Sequence, residues 1–396
     1  MLRIYIGPNG YGKTYAINSK IEELKKEDKN RKDIIMLNSE IVFADEMKDS
    51  VNNSFVMEYL IEELLENDDI NTAKNNYEKL IDKNVEENKK MYNDIMNEVL
   101  SLNNQQRKKD VIDTTSSKEH KKLIKINSDD LKNSMGSGQK LQFLLKLIEK
   151  SNKKYIFLDE PENHTHPSLL HITAGLINKL SIDKDVCIAT HSPELLSLLN
   201  IDFNELYIFN DPNYGNPKKI NFNDAVSISK SIHLDNLNNK SKTYYNALSF
   251  KKNIIELHKK EFFEAIFSKK VYMIEGVNDL LFLKSLLVKN LEQYNQYSIF
   301  QCYGKPHYLP FINVFEQLGI EVVPLFDIDE KNDSNNVLIN EEIKKCKKYL
   351  EFDDNLENEL NYLGKKTDTT AFIEFLDNFN NYKKYSSIFD GSDENV

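Results

Sequence analysis

Eight residues near the start of the chain limit its folds more than any other stretch: Gly7-Pro8-Asn9-Gly10-Tyr11-Gly12-Lys13-Thr14. They match the phosphate-binding pattern G-x-x-x-x-G-K-[ST] at every required position. Leu2 to Ile6 ahead of them reads as a buried strand. Tyr15 to Lys26 behind them reads as a helix, with Ile17, Ile21 and Leu24 on one stripe. Strand, loop and helix in that order let backbone N–H groups wrap an anion at a helix N-terminus. In such a loop Gly7, Asn9, Gly10 and Gly12 shape the cradle, Lys13 holds the β- and γ-phosphates, and the Thr14 hydroxyl ligates Mg²⁺.

A second acidic element follows. Tyr155 to Leu158 is an apolar run ending in Asp159-Glu160, so two carboxylates stand at the C-terminal end of a buried strand. That edge is where open α/β sheets bind ligands. Asp159 is placed to hold Mg²⁺, and Glu160 to orient or deprotonate an attacking water. Val186 to Thr190 reads as another strand, with His191 at its end in reach of a terminal phosphate. Asn133 to Gln139 is a small-residue loop opening an apolar helix, again an anion-binding geometry; Ser137, Gly138 and Gln139 are its candidate ligands. His164 and His166 have no accompanying ligand cluster and read as loop residues.

Composition sets the outer limits. A chain of 396 residues holds two or three domains, and 40% hydrophobic content with no run of eighteen apolar residues predicts a soluble protein without a membrane span. The phosphate loop begins too early to leave room for a signal peptide, and Cys187, Cys302 and Cys346 have neither disulfide nor zinc spacing. Both point to the cytoplasm. A formal net charge of −11 argues against nonspecific coating of nucleic acid. It leaves room for a nuclease whose metal cluster and few lysines face a phosphodiester. From Ser54 to Leu102, apolar residues recur at three- and four-residue spacing among Glu, Lys and Asn. This predicts two amphipathic helices, read either as an arm to a second subunit or as a solvated insertion.

The order of these elements resembles the ABC-class ATPases, and specifically the branch joined to OLD-family (overcoming lysogenization defect) nucleases. Gly7–Thr14 is similar to the Walker A motif, Met135–Gln139 to the signature loop, Ile156–Glu160 to Walker B, and Thr190-His191-Ser192 to the switch histidine. The resemblance implies ATP and Mg²⁺ as cofactors and a homodimer of heads sandwiching ATP. Two departures stand out: Gly136 occupies the usual signature serine, and the strands that usually precede Walker A, with an aromatic that stacks on adenine, are absent.

Beyond a polar stretch, Asp235 to Tyr244, and a helix running through Leu257 to Ile266, the βα alternation restarts. Lys270–Ile274 is a strand closed by Glu275-Gly276, Asp279 opens the helix Leu280–Leu287, and Tyr297–Cys302 is a strand leading to Gly304-Lys305. Phe311–Leu318 is a helix, and the strand Ile320–Phe326 ends in Asp327-x-Asp329. A lone D-x-D is as readily a turn; joined to Glu275 at the neighbouring strand end, it suits Mg²⁺ or Mn²⁺. A metal there holds a scissile phosphate and activates water.

This pairing resembles a Toprim domain of the OLD type, covering about residues 268–396 against 1–215 for the ATPase, with 216–267 as linker and helix. It implies metal-dependent phosphodiester cleavage with Glu275, Asp327 and Asp329 as metal or acid–base groups, Asp279 supplementing them, and Lys365 or Lys366 stabilising developing charge. Glu330 and Asp333 read as a solvated loop. The expected fold class is therefore α/β: a P-loop (ABC-class) ATPase with a helical insertion at 54–110, followed by a smaller Toprim α/β domain. The resemblance implies DNA as substrate, a role in phage defence and a second defence-system protein as partner. Cleavage of an RNA such as tRNA, and a non-cutting nucleotide sensor or repair clamp, are the alternatives.

Overall fold

The computed structural model describes residues 1–27, 33–37, 76, 79, 137–151, 153–163, 165–211, 216–234, 246–289, 297–328, 334–380, 382, 384 and 385. The helical insertion expected at 54–110, apart from residues 76 and 79, lies outside them. So do Met135, Gly136, His164, the linker at 235–244, Asp329, Glu330, Asp333 and the side chains of Ser137 and Gln139. No described helix is long and apolar enough to cross a membrane.

Five strands build the first sheet: β1 (Leu2–Ile6), β2 (Ile34–Leu37), β3 (Tyr155–Asp159), β4 (Asp185–Thr190) and β5 (Leu206–Ile208), in the order β2-β3-β4-β1-β5. β1 pairs in parallel with β4 and β5, and β3 with β4. Near-continuous apolar runs make these strands: Ile4, Ile6, Ile156, Leu158, Val186 and Ile188 are all at most 1% exposed. Strands covered on both faces need that pattern rather than alternation. Helix α1 (Lys13–Glu27) lays Ile17, Ile21 and Leu24 onto the core, as its spacing predicts. Helix α2 (Ser137–Lys150) follows the small-residue loop, α3 (Pro167–Asp183) follows the acidic edge of β3, and α4 (Pro193–Leu198) follows His191. Ser192 caps α4, its hydroxyl accepting from Leu195 N at 3.1 Å.

Helices α5 (Phe222–Leu234), α6 (Ala247–Leu257) and α7 (Lys259–Ile266) come next. A single helix reaching Ile266 is the expectation from periodicity; instead it breaks at His258, whose φ of −128° and ψ of 10° are not helical. Burial explains the break. The His258 ring is 1% exposed, its centroid 5.3 Å from Phe300 and 5.2 Å from Phe311.

The second sheet holds β6 (Lys270–Ile274), β7 (Tyr297–Gln301), β8 (Glu321–Asp327) and β9 (Leu350–Phe352) in the order β7-β6-β8-β9, all parallel. Around it lie α8 (Val277–Lys289), α9 (Tyr308–Gln317), α10 (Ser334–Ile343), α11 (Leu356–Glu359) and α12 (Thr369–Asn378). Phenylalanines dominate its interior: Phe300, Phe311 and Phe315 are fully buried, with Phe300 and Phe311 centroids 4.5 Å apart. The short strand β9 has no counterpart in the reading of the sequence.

By contact density the chain forms two compact units, one of residues 1–36, 154–162 and 170–396 and the other of 37–153 and 163–169. Both sheets, Leu37 at the end of β2 excepted, belong to the first unit. Within it Lys260 Nζ meets Glu194 at 2.8 Å, Gln317 Nε2 donates to Asn221 O at 3.0 Å, and Lys259 donates to Leu199 O.

His258 gives a pH prediction. Burial pushes its imidazole down to about 4, with the neighbouring His307 ring, 6.4 Å away, acting in the same direction. The unfolded chain therefore binds this proton near pH 6.5 while the folded chain resists it. The neutral ring's contribution is intact above that pH and is lost as pH falls towards 4. His258→Phe, which keeps the ring packing, is expected to narrow the difference in melting temperature between pH 7.5 and pH 5. Equal differences in both proteins would refute the assignment.

Candidate functional sites

The first site lies at the C-terminal edge of the first sheet. Leaving β1, the chain turns through Gly7, Gly10 and Gly12 with φ of 152°, 82° and 94°. Such angles suit glycine. At Gly7 space is also decisive, because a Cβ would sit 2.2 Å from the Phe209 carbonyl oxygen. Gly7→Ala is expected to lower stability by about 2–4 kcal/mol and to abolish nucleotide binding; an unchanged calorimetric midpoint would refute this.

Lys13, buried at 4% exposure, opens α1 and donates to Gly7 O at 2.7 Å and Pro8 O at 3.1 Å, so its ammonium is held across the loop. Burial lowers its pKa, while Glu160, Asp159 and Glu162 pull it back up. Thr14 Oγ1 donates to Asp159 Oδ2 at 2.8 Å. A residue of the loop and one 145 positions later thus meet through oxygen atoms alone. That donor chemistry fits Mg²⁺, which Thr14 and Asp159 would hold.

Beyond Asp159 the backbone bends sharply. Glu160 has φ of 49°, left-handed for a residue with a side chain, and its N–H donates to Ala189 O at 2.8 Å. Holding it there costs about 1–3 kcal/mol. The bend brings Glu160 Oε1 to 3.1 Å from His191 Nδ1, with Glu162 Oε1 at 3.6 Å from the same nitrogen. Glu162 also accepts from Thr190 Oγ1 at 2.5 Å and from His191 N at 3.3 Å. Its carboxyl pKa is raised by burial, against the opposing Thr190 hydrogen bond. Glu162 therefore fixes the strand end that carries His191, a positioning task that sequence reasoning did not assign.

Of the small-residue loop, Gly138 is described and buried, with the space for a Cβ bounded by Thr165 at 3.4 Å. His166 Nδ1 lies 2.8 Å from Ser168 Oγ, a local loop contact. Asn9 lies in the loop turn and is exposed.

The second site lies at the C-terminal edge of the second sheet. A cavity of about 490 Å³ is lined by Glu275 and Gly276 after β6, Asp279 on α8, Asp327 ending β8, Glu357 on α11, and Lys366. Lys365 is exposed and is not among the lining residues. Asp279 Oδ2 accepts from Glu275 N at 3.1 Å and Gly276 N at 2.9 Å, tying the turn between β6 and α8. Burial pushes its carboxyl up to about 6 despite those two bonds. Asp327 Oδ1 accepts from Leu356 N at 3.1 Å, and the Asp327 carbonyl accepts from buried Lys305, whose Nζ stands 4.0 Å from Glu275 Oε1.

Glu357 is the residue that sequence reasoning missed. Asn278 Nδ2 donates to it at 2.6 Å and Lys366 Nζ stands 3.1 Å away. Burial would raise its pKa, but those contacts hold it below the ordinary carboxylate value. Its candidacy came only from being brought beside Asn278, which lies 79 residues earlier. Among the described residues no three His, Cys, Asp or Glu side chains gather tightly enough to form a ready-made metal site. The cavity's carboxylates are nonetheless hard oxygen donors on separate elements, chemistry that fits Mg²⁺ or Mn²⁺ held by Glu275 and Asp327.

Comparison with known proteins bears on both halves. A family model described as "AAA domain, putative AbiEii toxin, Type IV TA system" matches residues 16–197. One described as "Overcoming lysogenization defect protein-like, TOPRIM domain" matches residues 266–329. Among solved structures, Stu0660 of Streptococcus thermophilus is 13% identical, covering 65% of this chain and 80% of that one, with a TM-score of 0.31. No curated protein matches the chain.

Proposed function

Because the chain carries an AAA-type ATPase domain followed by an OLD-like Toprim domain, matching an OLD-family ATPase–Toprim fusion, we propose that it hydrolyses ATP to control metal-dependent cleavage of DNA. The cavity lined by Glu275, Asp279, Asp327 and Glu357 supports the cutting half most strongly, since four separate elements bring four carboxylates to one sheet edge. Thr14, Asp159, Glu160 and His191 support the ATPase half. Glu160, bent towards His191, is the general base for the attacking water. His191 reports on the terminal phosphate, and Glu162 keeps its backbone in place. In the cavity Glu275 and Asp327 would hold a divalent cation, which would supply Lewis-acid activation. Lys366 faces the charge that develops on the scissile phosphate. ATP joins two copies through their heads, a second defence-system protein supplies the trigger, and the setting is the cytoplasm of a cell under phage attack.

Incubating the full chain with supercoiled plasmid or a tRNA, each with Mg²⁺ or Mn²⁺, tests this. Nicked plasmid is the expected product. Cleavage confined to RNA would replace the substrate, and no cleavage with either cation would favour a nucleotide sensor or clamp.

A further inference from the structure

Beside the phosphate loop, on the flank of α1, lies a cleft of about 310 Å³. Gly12 and Ala16 border it, and its walls are aromatic: Tyr11 and Tyr15 from the loop and α1, and Tyr207 and Phe209 from β5 and its end. Tyr5 of β1 closes the floor, its ring meeting Tyr207 edge-on at 5.4 Å and Phe209 at 5.6 Å. Lys219 covers the Tyr207 ring at 4.2 Å, so that platform is already braced. Tyr15, immediately after Thr14, is 74% exposed. Nothing in the packing of α1 accounts for a large aromatic there, because the helix buries Ile17, Ile21 and Leu24 instead.

We propose that this cleft is the nucleobase subsite of the nucleotide whose phosphates rest on Gly7–Thr14, with Tyr15 as a stacking platform. The inference depends on the phosphate-loop reading and adds to it the part that reading lacks: how the base is held when the strand ahead of the loop supplies only the cleft floor, through Tyr5. Geometry supports the pairing. Gly12 lies within the loop and Ala16 in the first turn of α1, so a phosphate chain seated on the N–H groups of the loop leads its sugar and base towards this flank. Stacking on a tyrosine face is sequence-tolerant and substantial. Ser19 and Asn216 on the rim supply hydrogen-bonding groups for ring edges.

The test compares binding of Mg-ATP and Mg-tripolyphosphate to the full chain by calorimetry, in wild type, Tyr15→Ala, Tyr15→Phe and Lys13→Ala. Wild type is expected to bind ATP more tightly than tripolyphosphate. Tyr15→Ala is expected to weaken ATP about tenfold and leave tripolyphosphate within about twofold, and Tyr15→Phe to restore ATP. Lys13→Ala weakens both. An ATP affinity unchanged in Tyr15→Ala, or both probes weakened alike, would overturn the base subsite while leaving the phosphate loop standing. Wild type that binds neither probe would remove the phosphate-loop reading and this inference together.

Discussion

Asp327→Ala is expected to abolish plasmid nicking while ATP hydrolysis continues at the wild-type rate. The aspartate ends β8 and lines the same cavity as Glu275 and Glu357. Its carbonyl is held by buried Lys305, and its carboxylate caps Leu356 N at 3.1 Å. Removing the carboxylate takes away an anionic cation ligand, whose contribution to a phosphoryl-transfer transition state is several kcal/mol, about three orders of magnitude in rate or more. The cap is a rival explanation for any loss. Asp327→Asn separates the two, since an amide oxygen still accepts from Leu356 N but carries no charge. Both variants should be inactive and both should keep the wild-type melting temperature to within a few degrees. Activity retained by Asp327→Asn would assign the residue to the cap and not to the cation.

Glu160→Gln should slow ATP hydrolysis by about a hundredfold or more, the usual contribution of a positioned general base. The variant keeps the side chain's length and still meets His191, so the left-handed bend and the 3.1 Å contact survive. Nucleotide affinity is therefore expected to be unchanged, and two heads joined by unhydrolysed ATP should elute together from a sizing column. An unaltered turnover would take Glu160 out of the chemistry. It would also leave the strained backbone at that position without a purpose.

What the sequence disclosed follows from range. Gly7–Thr14 is one local turn with fixed residue types, so its place between β1 and α1 was readable. Apolar runs at 155–158 and 271–274 marked two strands covered on both faces, and acids directly after them marked the functional edges. Contacts made across long separations were not readable. Glu162 grips Thr190 from 28 residues away, and Glu357 joins the second cavity through Asn278. Neither has a neighbourhood that distinguishes it from a surface acid. The strand Leu350–Phe352 is three residues long and too short to show a period. The break at His258 was hidden for a different reason. Helical spacing continues through it, and only the burial of its ring against Phe300 and Phe311 ends α6 there.

The central claim is that the acidic edge of the second sheet binds a divalent cation. Manganese soaked into crystals of the full chain, located by its anomalous scattering, tests this with no assumption about substrate. The account predicts an ion coordinated by the Glu275 and Asp327 carboxylates and missing from Asp327→Asn crystals. Crystals at saturating manganese with no anomalous peak in that cavity would contradict it.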